Sequence, residues 1–249
     1  MRGRIGIALS LATILLTAAI WSTVHAKGRV NAAIGVLESS LTEPGAPPNL
    51  VRLSERYLSL QSSAQHPESR ELFRRVRIDQ VYRAALDDET RQALLGRGAT
   101  IQDDIDLKNR IWSRISEIDT ENRVWLKYTL ARIGWFRISI YGSSASHVAW
   151  LLVQHADLDL AWQKEVLEVL KPLAAQGEAS WRDLAYLEDR IATAESKPQV
   201  YGTQGKCQGG TWSPFEISDP GQVDERRISI GLAPIDEYAK QFKGMCGGG

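Results

Sequence analysis

The stretch AWLLVQHADLDLAWQKEVL, residues 149–167, puts Gln154, His155 and Asp157 at the end of an otherwise apolar helical run. A histidine with a carboxylate and a carboxamide beside it has the residue types for general acid–base chemistry: an imidazole that exchanges a proton near neutral pH, and neighbours that orient it. Val148, Leu151 and Leu152 share one helix face with His155, so the competing reading is a histidine that only closes a buried helix. Further along, QVYGTQ alternates around Gly202, which puts Gln199, Tyr201 and Thr203 on one side of an extended chain, with Gln204 following. Loops that gather hydrogen-bonding side chains around a glycine often bind or catalyse; the alternative is a turn that packs Tyr201 against the core. Between the two stretches, YLEDRIA offers Asp189 and Arg190, with Tyr186 four residues before the arginine. Such an arginine–carboxylate edge either faces solvent or holds an anionic or planar group.

Several chemistries are absent from the pattern. His147 and His155 are eight residues apart, roughly 12 Å along a helix, too far to share one ion through their side chains. Only His66 remains besides these after the leader, and no CxxC occurs, so no metal site is expected. There is no GxSxG elbow and no cysteine with a histidine partner, which leaves Thr203 as the hydroxyl to examine near His155. GTQGKCQGG has glycines without the spacing of a dinucleotide or phosphate loop, so no cofactor is expected.

The elements that must position these residues read as helices. LVRLSERYLSLQ, PESRELFRRVRIDQVYRAALDDETRQALL and IQDDIDLKNRIWSRISEIDTENRVWLKYTLARIG carry apolar residues at three- and four-residue steps. Arg74, Arg75, Arg77 and Arg83 read as a solvated face or as partners of Glu71, Asp79 and Asp87. A break near IDTEN, with Asp119 as a fresh N-cap, is one expectation. WFRISIYG reads as a connector or a single small strand between Gly134 and Gly142. Helices follow from Ser143 or Ser144 to His155, over LDLAWQKEVLEVLKPLAAQG, and from a capping box at Ser180 and Asp183. After Pro198 the chain turns irregular, with QGG as a hairpin turn, before two short helices stopped by Gly231 and started by Pro234. The expectation is a mainly α, multi-helix orthogonal or bundle-like domain with a short irregular β or loop segment near 199–217.

At the N-terminus, Arg2 and Arg4 precede an apolar run from Ile5 to about Ile20 and then VHA, the layout of a signal peptide over residues 1–26. An uncleaved membrane anchor is the rival. Cleavage implies a periplasmic or secreted protein. It removes two arginines from 30 basic and 30 acidic residues, leaving a formal charge of minus two, which argues against a nucleic-acid partner. The expected partner is a small molecule or a protein, and a membrane only if the leader is retained. Pro44, Gly45, Pro47 and Pro48 suggest a tether over 27–50. A helical region over 51–117, a second region over 118–243 and a flexible tail over 244–249 complete the expected organisation. Cys207 and Cys246 are the only cysteines, and an oxidising compartment makes them a candidate disulfide; the alternative is an unpaired, frayed Cys246.

Five stretches taken in order resemble the bacterial family called domain of unknown function 6624: GW at 134–135, YGSSASHVAWLLVQHAD at 141–157, DLAYLEDR at 183–190, PQVYGTQ at 198–204 and DERRISIGLAPIDEY at 224–238. The resemblance covers about residues 118–242. It implies that Gln154, His155, Asp189, Arg190, Tyr201, Thr203 and Gln204 fall on the family pattern, as do Gly134, Trp135, Gly142, Gly202, Arg227, Gly231 and Leu232. The chain departs from that pattern at Phe136, where the family usually has proline. Two functions compete. In a hydrolase, His155 is the acid or base, Asp189 orients it, and Arg190 or Gln204 holds an oxyanion. In a non-catalytic binding or interaction module, the same residues form a hydrogen-bond network that fills its own site.

Overall fold

The computed structural model describes residues 28–39 and 46–246; the expected signal peptide lies outside them. The chain is mainly α and divides into two compact units. One is built from the described residues up to Ser59 together with Arg77–Ile118, and the other from Leu60–Val76 together with the chain from Asp119 onward. No helix among the described residues is long and apolar enough to cross a membrane.

The first unit contains α1 (28–38), most of α2 (Pro48–Ser63), the end of α3 (Pro67–Ala84), α4 (Asp88–Leu95) and the first half of α5 (Ile101–Ile133). Residues 28–38 are not a tether: Val30, Ala33, Ile34 and Leu37 form a buried helical stripe against Leu107, Ile111 and Ile115. The proline cluster drew the sequence reading away from that stripe. Asp87 caps α4 by accepting the Thr90 N–H at 2.9 Å. Thr100 and Asp103 exchange hydrogen bonds at the start of α5. Of the arginines on α3, Arg74 and Arg75 pair with Glu71 and Arg83 pairs with Asp79.

α5 does not break at IDTEN. Its buried positions continue past Asp119 as Asn122, Leu126 and Thr129, so the stripe stays in phase and no cap is needed. Gly134, at φ 76°, ends the helix and lets Trp135 and Phe136 turn inward. WFRISIYG forms a one-turn helix, α6 (Ile138–Tyr141), rather than a strand. Its backbone is fixed by Glu178, which accepts from both the N–H and the hydroxyl of Ser139.

α7 (Ser143–Gln154), α8 (Leu160–Ala175, with Pro172 inside it) and α9 (Trp181–Ala194) pack on one another. The Trp135 indole N–H donates to Ser146 Oγ at 3.1 Å, which anchors α7. Ser180 caps α9 through the Asp183 N–H. β1 (Gly205–Gln208) and β2 (Thr211–Pro214) then form an antiparallel hairpin. Its turn is Gly209 and Gly210, both at positive φ as the tight hairpin turn requires. α10 (Val223–Ser229) and α11 (Ile235–Ala239) complete the second unit. Cys207 and Cys246 are joined in a disulfide that holds the end of the chain to β1. Trp212 packs on Tyr238 and Phe242 beside it.

Candidate functional site

The three motifs singled out in the sequence do meet, but they meet as partners of one another. Asp189 lies on α9 and is fully buried. One carboxylate oxygen accepts the backbone N–H groups of Val200 (2.8 Å) and Tyr201 (3.0 Å), and the other accepts that of Thr203 (2.8 Å). No hydrogen bond links Asp189 to His155 among the described residues. The orienting role expected of Asp189 is therefore not what this geometry provides; its oxygens face loop amides.

The rest of the YGTQ loop is tied down in the same way. Gln199 accepts the Gln204 N–H and donates to the carbonyls of Gln204 and Phe215. Gln204 donates to the Thr203 hydroxyl, and Tyr238 OH donates to the Thr203 carbonyl. Burial pushes the Tyr238 phenol well above its ordinary range. Arg227, fully buried, donates to the carbonyls of Tyr201 and Ala233 and lies 4.7 Å over the Tyr238 ring. Burial lowers its pKa, and no carboxylate among the described residues pairs with it directly. Arg226 donates to the carbonyls of Val200, Ser218 and Asp219. Gly202 sits at φ 66°, a backbone conformation that favours glycine, and a Cβ there would come within 2.6 Å of the tip of the Ile217 side chain, which would have to shift.

At the other end, Arg190 grips Asp157 through two bonds of 2.7 Å. Burial raises the Asp157 pKa, but the Arg190 hydrogen bonds and charge more than offset it, so the carboxyl sits below its usual range. Gln163 donates to the carbonyls of Val153 and Gln154, satisfying the end of α7. His155 is the half-buried C-cap of that helix, its N–H donating to Leu151. Gln154 is half-buried, and its side-chain oxygen has no hydrogen-bond partner among the described residues.

A different part of the same helices carries an open groove. Between α7 and α9 lies a cavity of about 490 Å³, within the usual range for small-molecule sites. α7 contributes Ser143, Ser144, Ser146, His147 and Trp150; from α9 and its cap come Ser180, Arg182, Asp183 and Tyr186. Both Asp183 carboxylate oxygens lie against His147 Nδ1, at 3.0 and 3.1 Å. The imidazole is 53% exposed and the carboxylate 13%. A carboxylate at Nδ1 selects the tautomer with the proton there and leaves Nε2 as a base. Trp150 stacks on His147 at 5.1 Å and meets Tyr186 edge-on. It is 6% exposed, and its indole N–H has no acceptor among the described residues. The apolar groove of about 440 Å³ beside Trp162 offers Lys127 and Glu165 but no comparable acid–base pair.

The network and the groove share α9. Asp189 fixes this helix to the loop six residues beyond Asp183, and Tyr186, a groove wall, packs edge-on against Tyr238 of the network. Sequence reasoning used Asp183 only as a capping residue and His147 only as a failed zinc ligand. The signal for the groove was that Ser143, His147 and Trp150 fall at four- and three-residue steps on one face of α7.

The model of a family described as Family of unknown function (DUF6624) matches residues 85–247, well over half of the sequence. The chain belongs to this family. The match begins upstream of the expected 118 and so takes in α4 and all of α5. No curated protein and no solved structure matches the chain.

Proposed function

We propose that this member of the DUF6624 family is an exported hydrolase-type enzyme whose working centre is the His147–Asp183 pair in the α7–α9 groove. The observation that carries the proposal is the imidazole held by a carboxylate at Nδ1 with its other edge free to face a cavity of ligand size. An imidazole held in this way accepts a proton from water or a hydroxyl at Nε2 and returns it to a leaving group. Export rests on the leader pattern of residues 1–26 and is consistent with the disulfide, which suits an oxidising compartment. The QHAD, DR and YGTQ motifs serve in this reading as the scaffold that sets α7 and α9.

The test is hydrolysis of a panel of chromogenic substrates by wild type, Asp183→Asn and His155→Gln. The expected result is that Asp183→Asn loses at least tenfold in kcat/KM while His155→Gln retains activity. Loss in His155→Gln with full activity in Asp183→Asn would move the centre back to the QHAD motif. A second reading, a binding module without chemistry, is favoured by the complete use of Asp189 by loop amides. It predicts saturable ligand binding in the groove with no turnover by any of the three proteins.

A further inference from the structure

We infer that the first unit rests on a lipid bilayer through an exposed face of α5, beside an apolar leader that stays attached as a membrane anchor. This does not depend on the hydrolase reading. Ile101, Ile105 and Trp112 recur at steps of four and seven residues, which places them within about 40° of one another around the helix axis. They lie off the stripe of Leu107, Ile111 and Ile115 that α5 buries. Ile101 is 83% exposed, and Ile105 and Trp112 are nearly half exposed. Four large apolar side chains are exposed among the described residues of this unit, and three of them are these. Lys108, also exposed, lies on the same face between Ile105 and Trp112. Two isoleucines and a tryptophan, with a lysine whose stem lies flat while its ammonium reaches outward, have the composition of a helix seated at a membrane surface.

The start of α1 lies against this part of α5. Arg29 pairs with the buried Asp103 at 3.7 Å, and Asn31 accepts from Arg110, so α1 begins level with residues 103–110, within the stretch that carries the exposed face. Upstream, residues 5–24 carry no charge and reach the roughly 20 residues that a bilayer core requires. Residues 25–27 span at most about 10 Å when extended, about the diameter of one helix. An anchor made by that run therefore holds the start of α1, and the turns of α5 beside it, close to the membrane surface. A second copy of the chain is the rival occupant. The three side chains expose on the order of 400 Å², about half of what each partner commits to a stable complex. The face is thus too small to hold a dimer by itself, whereas a second, weaker contact beside an anchor is what steady membrane attachment uses.

The full chain, reconstituted with vesicles of phosphatidylethanolamine and phosphatidylglycerol, tests this by flotation, by N-terminal sequencing of the floated protein and by tryptophan quenching with lipids brominated close to the headgroup. Every protein carries Trp21→Phe, so that the leader contributes no indole. The parent is compared with Trp112→Phe and with an Ile101→Asp, Ile105→Asp double variant, which changes only exposed positions; melting confirms that each is folded. The expected result is that all three float with the leader intact, while bromolipid quenching falls about fivefold or more in Trp112→Phe and in the double variant, whose Trp112 is present but lifted from the lipid. Protein that begins at Lys27 and does not float would overturn the anchor and the inference with it. Floated protein whose quenching is the same with and without Trp112 would overturn the α5 contact. Lysine cross-linking of Lys108 to a second chain, in place of quenching, would assign the face to another copy of the protein and overturn the lipid assignment.

Discussion

Replacing Asp189 with asparagine changes one atom type in a fully buried side chain, and the geometry sets what it costs. The carboxylate accepts two N–H groups on one oxygen and one on the other. The asparagine oxygen keeps the better occupied side, toward Val200 and Tyr201, which turns its NH₂ toward the Thr203 N–H. One charge-assisted bond, about 1.5–3 kcal/mol, is lost, and a buried donor is left facing another donor. Relief of carboxylate burial offsets part of this, for a net loss of about 2–3 kcal/mol. For a protein of this size that corresponds to a drop in Tm of roughly 5–10 °C. Asp189→Ala leaves all three amides unsatisfied and costs more, about 4 kcal/mol. Thermal and urea unfolding measure both variants. An Asp189→Asn protein that melts with wild type but has lost turnover would refute the structural assignment and return Asp189 to a functional role.

Gly202→Ala must hold a side chain at φ 66° with its Cβ 2.6 Å from Ile217; the expected loss is about 2 kcal/mol or more, read by urea unfolding. Reduction of Cys207–Cys246, which are 39 residues apart, removes about 4 kcal/mol of loop-closure stabilisation in the chain-entropy model, so a reductant should lower the melting temperature of wild type and leave a Cys207→Ser, Cys246→Ser double variant unmoved. Glu188 is half-buried, and burial raises its carboxyl pKa; the native state therefore loses stability as pH climbs from the ordinary carboxylate range through this raised value. Glu188→Gln should melt higher than wild type at pH 7 and together with it at pH 3, and equal melting at both would show that the buried carboxylate costs nothing.

Much of the architecture was written in local patterns. The helical periods, the Ser180 cap, the Gly134 stop and the QGG turn each depend on a few neighbouring residues, and each stands in the structure. The stripe of Val30, Ala33, Ile34 and Leu37 was equally present in the sequence, but the proline-rich stretch after it read as a spacer and carried those residues with it. The convergence of QHAD, DR and YGTQ was legible because these polar residues are hard to place in an apolar core. Their use was not legible, because an aspartate bonded to three backbone amides and an aspartate that orients a histidine look alike in one dimension. The His147–Asp183 pair spans 36 residues and two helices, so its register is fixed only by how α7 packs on α9. Arg227 bonds backbone carbonyls and lies over a tyrosine ring, contacts that leave no charge complement in the sequence.

The location of the working groove is tested most directly by backbone amide chemical-shift mapping during titration with the products of whichever chromogenic substrate the wild type cleaves. The account predicts shifts concentrated at the groove residues His147, Asp183 and Tyr186, with Tyr201, Thr203 and Gln204 unmoved. Shifts centred on His155, Tyr201 and Gln204, with His147 and Asp183 silent, would contradict it.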